Sequence, residues 1–174
     1  MNFREQRKSK RVVFFCMVLI LLGGLLHLVC GKLLYSNMTD SAVRGLYVAA
    51  PNQRLARGDY VIVRLPEGVD RLHVEAGLLL LKRVCTFPGE TYTVDDAYLH
   101  TNGQSYRIYR KEGLPQLATG HYTVPDGELL LLNDADESFD SRYLGTIAQT
   151  QIEKKVLLLL SYEPFLKRIG RDKK

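Results

Sequence analysis

The sequence predicts a mainly β domain behind a single N-terminal transmembrane helix. Two observations favour the β domain: short runs rich in leucine and β-branched residues, and turn-forming residues between those runs. A third observation, an uncharged apolar segment near the N-terminus, predicts the helix. After that segment the sequence carries no long amphipathic helical pattern.

The helix is predicted over residues 12–30, which carry no formal charge. Nineteen residues at about 1.5 Å each cover roughly 28 Å, enough to cross a hydrocarbon core. The alternative is a cleaved signal peptide, whose apolar region usually spans only about 7–15 residues, and the length of the run favours an uncleaved anchor. Five basic residues precede the run, which predicts a cytoplasmic N-terminus and places the rest of the chain on the outer face of the membrane.

Four strands are predicted in the body of the chain. Residues 60–65 are rich in β-branched side chains, and residues 78–84, 129–132 and 156–160 are short apolar runs. Turn residues separate the runs, for example Thr-Asn-Gly at 101–103. The leucine runs are too short to span a bilayer, and burial of each strand on both faces would explain them.

The charge distribution argues against nucleic acid as a partner. The formal charge of +5 divides into +4 over residues 1–11, +5 over residues 154–174 and −4 between them. An acidic body is a poor phosphate binder, whereas two basic ends favour contact with anionic membrane lipid.

The apolar run, the strand pattern and the charge distribution together divide the chain into four parts. These are a basic cytoplasmic segment (1–11), a transmembrane anchor (12–30), a folded domain (36–162) and a basic tail (163–174).

The histidines and cysteines give no sign of a metal centre. His73, His100 and His121 are scattered, and none has a second His or Cys at ligand spacing. Three cysteines also exclude a small domain held together by disulfides. We therefore expect neither a metal nor a cofactor.

Lys82 is a charged residue at a position where the strand pattern predicts an apolar side chain. It follows four leucines, and in a strand it would share a face with Leu80 and Val84. An apolar face disfavours the ammonium and lowers the lysine pKa, and a neutral amine is a general base that can deprotonate a serine hydroxyl. The alternative is a lysine that reaches the strand edge or pairs with a carboxylate.

Four segments in order resemble the boxes of the type I signal peptidases, membrane-anchored serine proteases that use a Ser-Lys dyad. Residues 37–47 (NMTDSAVRGLY) are similar to the nucleophile segment, in the form N-x-T-x-S-x-P-x-G-L-Y of the conjugative-transfer (TraF-type) branch. Residues 57–63 (RGDYVIV) resemble the strand that follows it, and residues 81–90 (LKRVCTFPGE) the segment of the general base. Residues 133–145 (NDADESFDSRYLG) resemble the last box.

The resemblance implies a signal-peptidase-like β-fold and a site of six residues: the nucleophile Ser41, the general base Lys82, the oxyanion-hole residue Thr39, and the supporting residues Ser138, Asp140 and Arg142. Ser138 would orient the lysine amine, and the last two would form an ion pair that braces the site. The alternatives are turn capping for the serine and a surface pair of little energy for the two charges.

The sequence departs from the pattern of the family at three positions. Val43 stands where the branch has Pro, so ring restriction of φ does not fix the turn after the serine. Asn133 replaces a Gly, and Glu90 replaces an Asp. None of these departures removes a catalytic atom.

The resemblance implies a serine endopeptidase of the bacterial inner membrane, single-pass, with a periplasmic catalytic domain. Its partners would be membrane lipid and a precursor polypeptide, a conjugative pilin or another secreted precursor cut after small residues, with a secretion or conjugation complex as a further candidate. Two alternatives stay open: a housekeeping signal peptidase with many substrates, and a catalytically idle β scaffold of a secretion complex, for which Val43 is the only hint.

Overall fold

The computed structural model describes residues 3–31, 33–65, 75–164 and 166. The chain divides into two compact units, residues 1–35 and residues 36–174. His73 and most of the predicted tail at 163–174 lie outside the described residues.

The first unit contains helix α1, Phe3–Cys30, which includes the predicted segment 12–30. Most of its described apolar side chains, Phe14 and Ile20 among them, are exposed. Across the described part of the chain, no helix combines the length and the apolarity that crossing a membrane requires. The transmembrane anchor is therefore not confirmed and stays a prediction.

Eleven strands, one short α-helix and a 3₁₀ helix (Gln149–Gln151) follow α1 in the described part of the chain. They are β1 (Leu34–Asn37), β2 (Gly45–Ala49), β3 (Tyr60–Arg64), β4 (Leu79–Thr86), β5 (Thr91–Val94), β6 (Tyr98–Thr101), β7 (Gln104–Arg107), β8 (Gly120–Thr123), β9 (Glu128–Leu131), α2 (Ser141–Leu144), β10 (Ile147–Ala148) and β11 (Ile152–Ser161). The prediction of a mainly β domain is confirmed. The four predicted strands correspond to β3, β4, β9 and β11.

The strands form two sheets, and every pairing whose register is described is antiparallel. The larger sheet has the order β1-β2-β11-β3-β4-β9-β10, and the smaller has the order β7-β6-β5-β8. Strand β4 is therefore central in the larger sheet, with β3 on one side and β9 on the other. Lys82 lies on β4 opposite Val61 of β3.

The larger sheet separates two apolar cores. Leu129 and Leu131 of β9 pack in one core, with Val61 of β3 and Val84 of β4. Leu130 packs in the other core, among side chains of the smaller sheet. Since successive side chains of a strand point to opposite faces, the two cores lie on opposite faces of the larger sheet, and the smaller sheet covers one of them.

The turn predicted at 101–103 is present between β6 and β7. Thr101 lies opposite Gln104, so Asn102 and Gly103 form a two-residue hairpin loop. Their φ angles are 51° and 72°. A tight hairpin of this kind requires positive φ at both central residues, and Asn followed by Gly adopts it at the least cost.

The expected burial of the leucine runs on both faces is wrong. Leu157–Leu160 of β11, which we call the leucine strip, have exposed fractions of 47%, 42%, 59% and 48%. Val156 pairs with Tyr60, the first residue of β3, so in the described structure β11 runs beyond β3 and pairs only with β2 from there on. The strip therefore lacks a second neighbouring strand to cover it.

Candidate active site

Residues 38–44, here called the serine loop, join β1 to β2 and contain Ser41. Asn37, the last residue of β1, is 8% exposed and holds this loop through its side chain. Its Nδ2 donates to the carbonyl oxygens of Thr39 (3.1 Å), Ala42 (3.2 Å) and Val43 (3.2 Å). Its Oδ1 accepts from the backbone N–H of Thr39 at 3.1 Å. One side-chain amide thus ties the start of the loop to its end.

Tyr47 also holds the end of the serine loop. Its hydroxyl donates to the Val43 carbonyl at 2.7 Å. Burial, aided by the nearby Tyr60, raises the pKa of Tyr47 to about 12, so the phenol keeps its proton at neutral pH. Val43 is the residue that replaces Pro in the resembled pattern. The bonds from Asn37 and Tyr47 fix its carbonyl where a ring would otherwise restrict the backbone.

Ser41 lines a cleft at the protein surface. Ser41 Oγ lies 2.9 Å from Thr39 Oγ1, which itself lies 2.7 Å from Asn37 Oδ1. The cleft has a volume of about 380 Å³ and is lined by Thr39, Asp40, Ser41, Ala135, Asp136 and Glu137. A serine hydroxyl in an accessible concave site can meet an extended polypeptide.

Lys82 is buried, with 4% of its surface exposed. Its Nζ donates to Ser138 Oγ at 3.1 Å, and it forms no ion pair among the described residues. Burial of the ammonium lowers the pKa of Lys82 to about 8; Asp140 opposes the change, and Arg142 adds to it. About a tenth of the amine is then neutral at pH 7. The alternative interpretation required Lys82 to reach solvent at the strand edge or to pair with a carboxylate, and it does neither among the described residues.

Arg142 organises residues 133–140, the segment between β9 and α2. Its fully buried guanidinium donates two hydrogen bonds to the Asp140 carboxylate, from Nε to Oδ1 at 2.9 Å and from NH2 to Oδ2 at 2.8 Å. It also donates to the carbonyl oxygens of Asn133 (3.0 Å), Ala135 (2.7 Å) and Asp136 (3.1 Å). A buried charge is tolerated when it is paired and its donors are satisfied. Because both partners are buried, the pair is not a surface ion pair.

The structure joins the six predicted site residues in three contacts: Thr39 with Ser41, Lys82 with Ser138, and Asp140 with Arg142. The hydrogen bond of the Ser41 hydroxyl goes to Thr39 and not to the Lys82 amine. Segment 133–140 nevertheless connects the two. Three of its residues line the Ser41 cleft, and the next one along the chain bonds Lys82.

The two other departures from the family pattern have structural roles. The Nδ2 of Asn133 donates to the Leu81 carbonyl at 3.0 Å, next to Lys82, and so ties segment 133–140 to β4. Glu90 caps the turn after β4, since its Oε2 accepts from the Phe87 N–H at 2.7 Å. Among the described residues, no three His, Cys, Asp or Glu side chains lie close enough to share a metal ion.

Asn37 and Tyr47 acquire positioning contacts that sequence reasoning did not assign. Asn37 carried a usable signal, because Asn two residues before a turn residue is the spacing at which its side chain caps the turn. Tyr47 and Asn133 carried none, since their partners are backbone carbonyls that only the fold brings near.

Comparison with known proteins shows which family this chain resembles. The family model described as "Signal peptidase, peptidase S26" matches residues 8–160. A plasmid transfer protein TraF of Escherichia coli is 31% identical over 169 residues, covering 86% of this chain and 93% of that protein. A probable signal peptidase I-1 of Synechocystis sp. is 28% identical over 96 residues, covering 55% of this chain and 49% of that protein. A crystal structure of a signal peptidase I from Enterococcus faecalis V583 has 24% identity and a TM-score of 0.40, covering 60% of this chain and 97% of that one.

Proposed function

The chain belongs to the S26 signal peptidase family, and from this premise we propose that it is a membrane-anchored serine endopeptidase that uses Ser41 as nucleophile and Lys82 as general base. Its substrate would be a precursor polypeptide, cut after small residues at the outer face of the inner membrane. A conjugative pilin precursor is the favoured candidate.

The state of Lys82 carries this proposal. A buried lysine with a pKa of about 8 keeps a useful neutral fraction at physiological pH. Ser138 is wholly buried and holds the amine in one direction. An ordinary surface lysine has neither property, so the environment of Lys82 is that of a base and not of a solubilising charge.

The reaction would proceed by acyl transfer. Neutral Lys82 takes the Ser41 proton as Oγ attacks the scissile carbonyl carbon, and the resulting ammonium returns that proton to the leaving amine. The Thr39 hydroxyl and the Ser41 backbone N–H would donate to the oxyanion. Water, deprotonated by the same amine, then attacks the acyl-enzyme carbonyl. The ester bond to Ser41 Oγ breaks as the ammonium returns the proton to that oxygen, which releases the new carboxyl terminus and regenerates Ser41 and neutral Lys82. Lys82 carries the proton in every step.

Two observations support a membrane location and a transfer-type substrate. Helix α1 exposes most of its described apolar side chains, and the leucine strip is a further apolar surface of the kind that marks contact with a partner or a membrane. The chain also spans 93% of a protein named for plasmid transfer, but only about half of the probable signal peptidase I-1. This likeness to a plasmid transfer protein favours a transfer precursor over the broad substrate range of a housekeeping enzyme.

The test is cleavage of a conjugative pilin precursor by the detergent-solubilised full chain. Ser41→Ala and Lys82→Ala are each expected to reduce kcat by at least about 10³-fold, since both remove a reacting group. Ser105→Ala and Lys154→Ala are matched controls at exposed positions and are expected to leave kcat unchanged.

The outcomes separate the three hypotheses for the chain. Cleavage that survives both active-site changes contradicts the dyad. Equal cleavage of unrelated secreted precursors would favour the housekeeping enzyme. Inactivity of the intact chain toward every precursor would favour the idle scaffold.

A further inference from the structure

The orientation of the Asn37 side chain is fixed by its neighbours. The Nδ2 group faces three carbonyl oxygens, and the Oδ1 atom faces the backbone N–H of Thr39. A flipped amide would set its oxygen against the three carbonyls and its NH₂ against an N–H donor. Only one orientation satisfies all four contacts, so Oδ1 is an acceptor that points toward Thr39.

This orientation determines the direction of the next two hydrogen bonds. Because the Asn37 Oδ1 can only accept, the Thr39 hydroxyl donates its single proton across the 2.7 Å contact. Thr39 Oγ1 therefore has only its lone pairs left for Ser41, 2.9 Å away. The Ser41 hydroxyl must be the donor in that contact. A directed chain runs from Ser41 through Thr39 to Asn37.

We propose that Asn37 is a positioning residue of this site. By accepting a hydrogen bond from the Thr39 hydroxyl, it orients the hydroxyls of Thr39 and Ser41 and holds Ser41 Oγ in place. The inference rests on the proposed Ser-Lys mechanism and extends it. In the free enzyme this chain of hydrogen bonds keeps Thr39 Oγ1 within hydrogen-bonding distance of the Ser41 hydroxyl. When Ser41 attacks, its proton turns from Thr39 Oγ1 to the Lys82 amine, and the Thr39 proton turns from Asn37 Oδ1 to the oxyanion, each by rotation about a single C–O bond.

A comparison with Tyr47 distinguishes this positioning role from a purely structural role in holding the serine loop. Asn37 acts on the loop twice, through Nδ2 on backbone carbonyls and through Oδ1 on the Thr39 hydroxyl. Tyr47 acts only on a backbone carbonyl, that of Val43. A loss that arises from loosening the loop should appear in both variants, whereas a loss that arises from the hydroxyl chain should depend on the Thr39 hydroxyl.

The experiment is a double-mutant cycle on the full chain, with kcat and KM for precursor cleavage measured separately. Asn37→Ala is expected to lower kcat by about 10²-fold with little change in KM, the loss typical of a misplaced reacting group. In a Thr39→Val background, which removes the hydroxyl at nearly constant shape, the same change is expected to cost less than about threefold. In a Thr39→Ser background the full loss should return.

Two controls accompany the cycle. Tyr47→Phe is expected to cost the same factor with and without the Thr39→Val change. Asn52→Ala removes another side chain that caps a turn, with Oδ1 2.9 Å from the Arg54 N–H, and is expected to leave kcat unchanged. If Asn37→Ala fails to give a cooperative melting transition, Asn37→Ser replaces it, because a serine hydroxyl can cap the same turn.

Each outcome bears on one hypothesis. An Asn37→Ala loss that is equal in the unsubstituted chain and in the Thr39→Val background overturns the positioning role and leaves a structural clamp. A coupling to Thr39 that is as large for Tyr47→Phe does the same. Failure of the unsubstituted chain to cleave any precursor instead contradicts the proposed function itself.

Discussion

The pH dependence of precursor cleavage tests the buried lysine most sharply. Burial lowers the pKa of Lys82 from its ordinary 10.5 to about 8. At pH 7 the neutral amine then makes up about 9% of the molecules, against about 0.03% for an unperturbed lysine, a gain of roughly 300-fold in active base. If this amine is the general base, kcat/KM follows the neutral fraction of the free enzyme.

The expected profile is a single rise with a plateau. The value of kcat/KM should increase about tenfold for each pH unit well below 8 and level off above about pH 9. From pH 9 to pH 10 the expected gain is only about 1.1-fold, whereas a lysine with the ordinary pKa would give about 8-fold. This upper interval therefore distinguishes a buried amine from a solvated one.

The assay measures initial rates on a precursor well below KM, with the detergent-solubilised chain in buffers of constant ionic strength. A melting curve at each pH confirms that the protein stays folded. Lys154→Ala, at an exposed position on β11, should reproduce the profile, and Lys82→Arg, which stays charged throughout, should be inactive. A rate that still climbs about eightfold from pH 9 to pH 10, or that is level from pH 6 to pH 9, would refute the reasoning.

Two further predictions concern stability. The pKa of Lys82 is lower in the folded protein than in the unfolded chain, so its penalty is fully present below about pH 8 and is relieved as pH rises toward 10.5. Lys82→Met should therefore raise the free energy of unfolding at pH 7 by up to about 3 kcal/mol, and urea titrations at pH 7 and pH 10 should show the difference shrinking. Arg142→Met should lower the free energy of unfolding by about 3–5 kcal/mol, because it leaves a buried Asp140 carboxylate unpaired. Arg110→Met, on an exposed pair, should cost less than about 1 kcal/mol in the same titration, and equal losses would contradict the argument.

The strands that sequence predicted are those with strong local patterns. Residues 60–65 and 129–132 are almost entirely apolar or β-branched, and the structure places β3 and β9 there. The strands of the smaller sheet have four residues each and mix polar with apolar side chains, so they carry too few repeats for period-2 alternation to stand out. The exposure of the leucine strip depends on where β3 begins, which is a property of the sheet and not of β11.

The site was predictable where a residue conflicts with its local surroundings. Lys82 stands in an apolar run, and this conflict alone predicts an amine with a lowered pKa. Arg142 sits among Asp, Ser and Tyr in a stretch typical of a solvated turn, and nothing local indicates that its guanidinium is completely buried. Its hydrogen bonds reach carbonyls up to nine residues away and also that of Arg107, so only the folded chain brings its partners together.

The cavity beside Lys82 explains why activity and stability should oppose each other at this site. It holds only about 10 Å³ and is lined largely by apolar side chains, among them Val63, Leu80 and Leu131. That is at the lower limit for a single water, so the ammonium has no solvent shell to favour it. This small apolar pocket therefore lowers the pKa of Lys82 toward the range that the proposed general base needs at neutral pH, and by the same free energy it destabilises the charged folded protein. A substitution that admitted water, such as Leu131→Ala, would relieve the penalty on the ammonium while moving the pKa back toward 10.5, away from the range in which the amine can serve as a base.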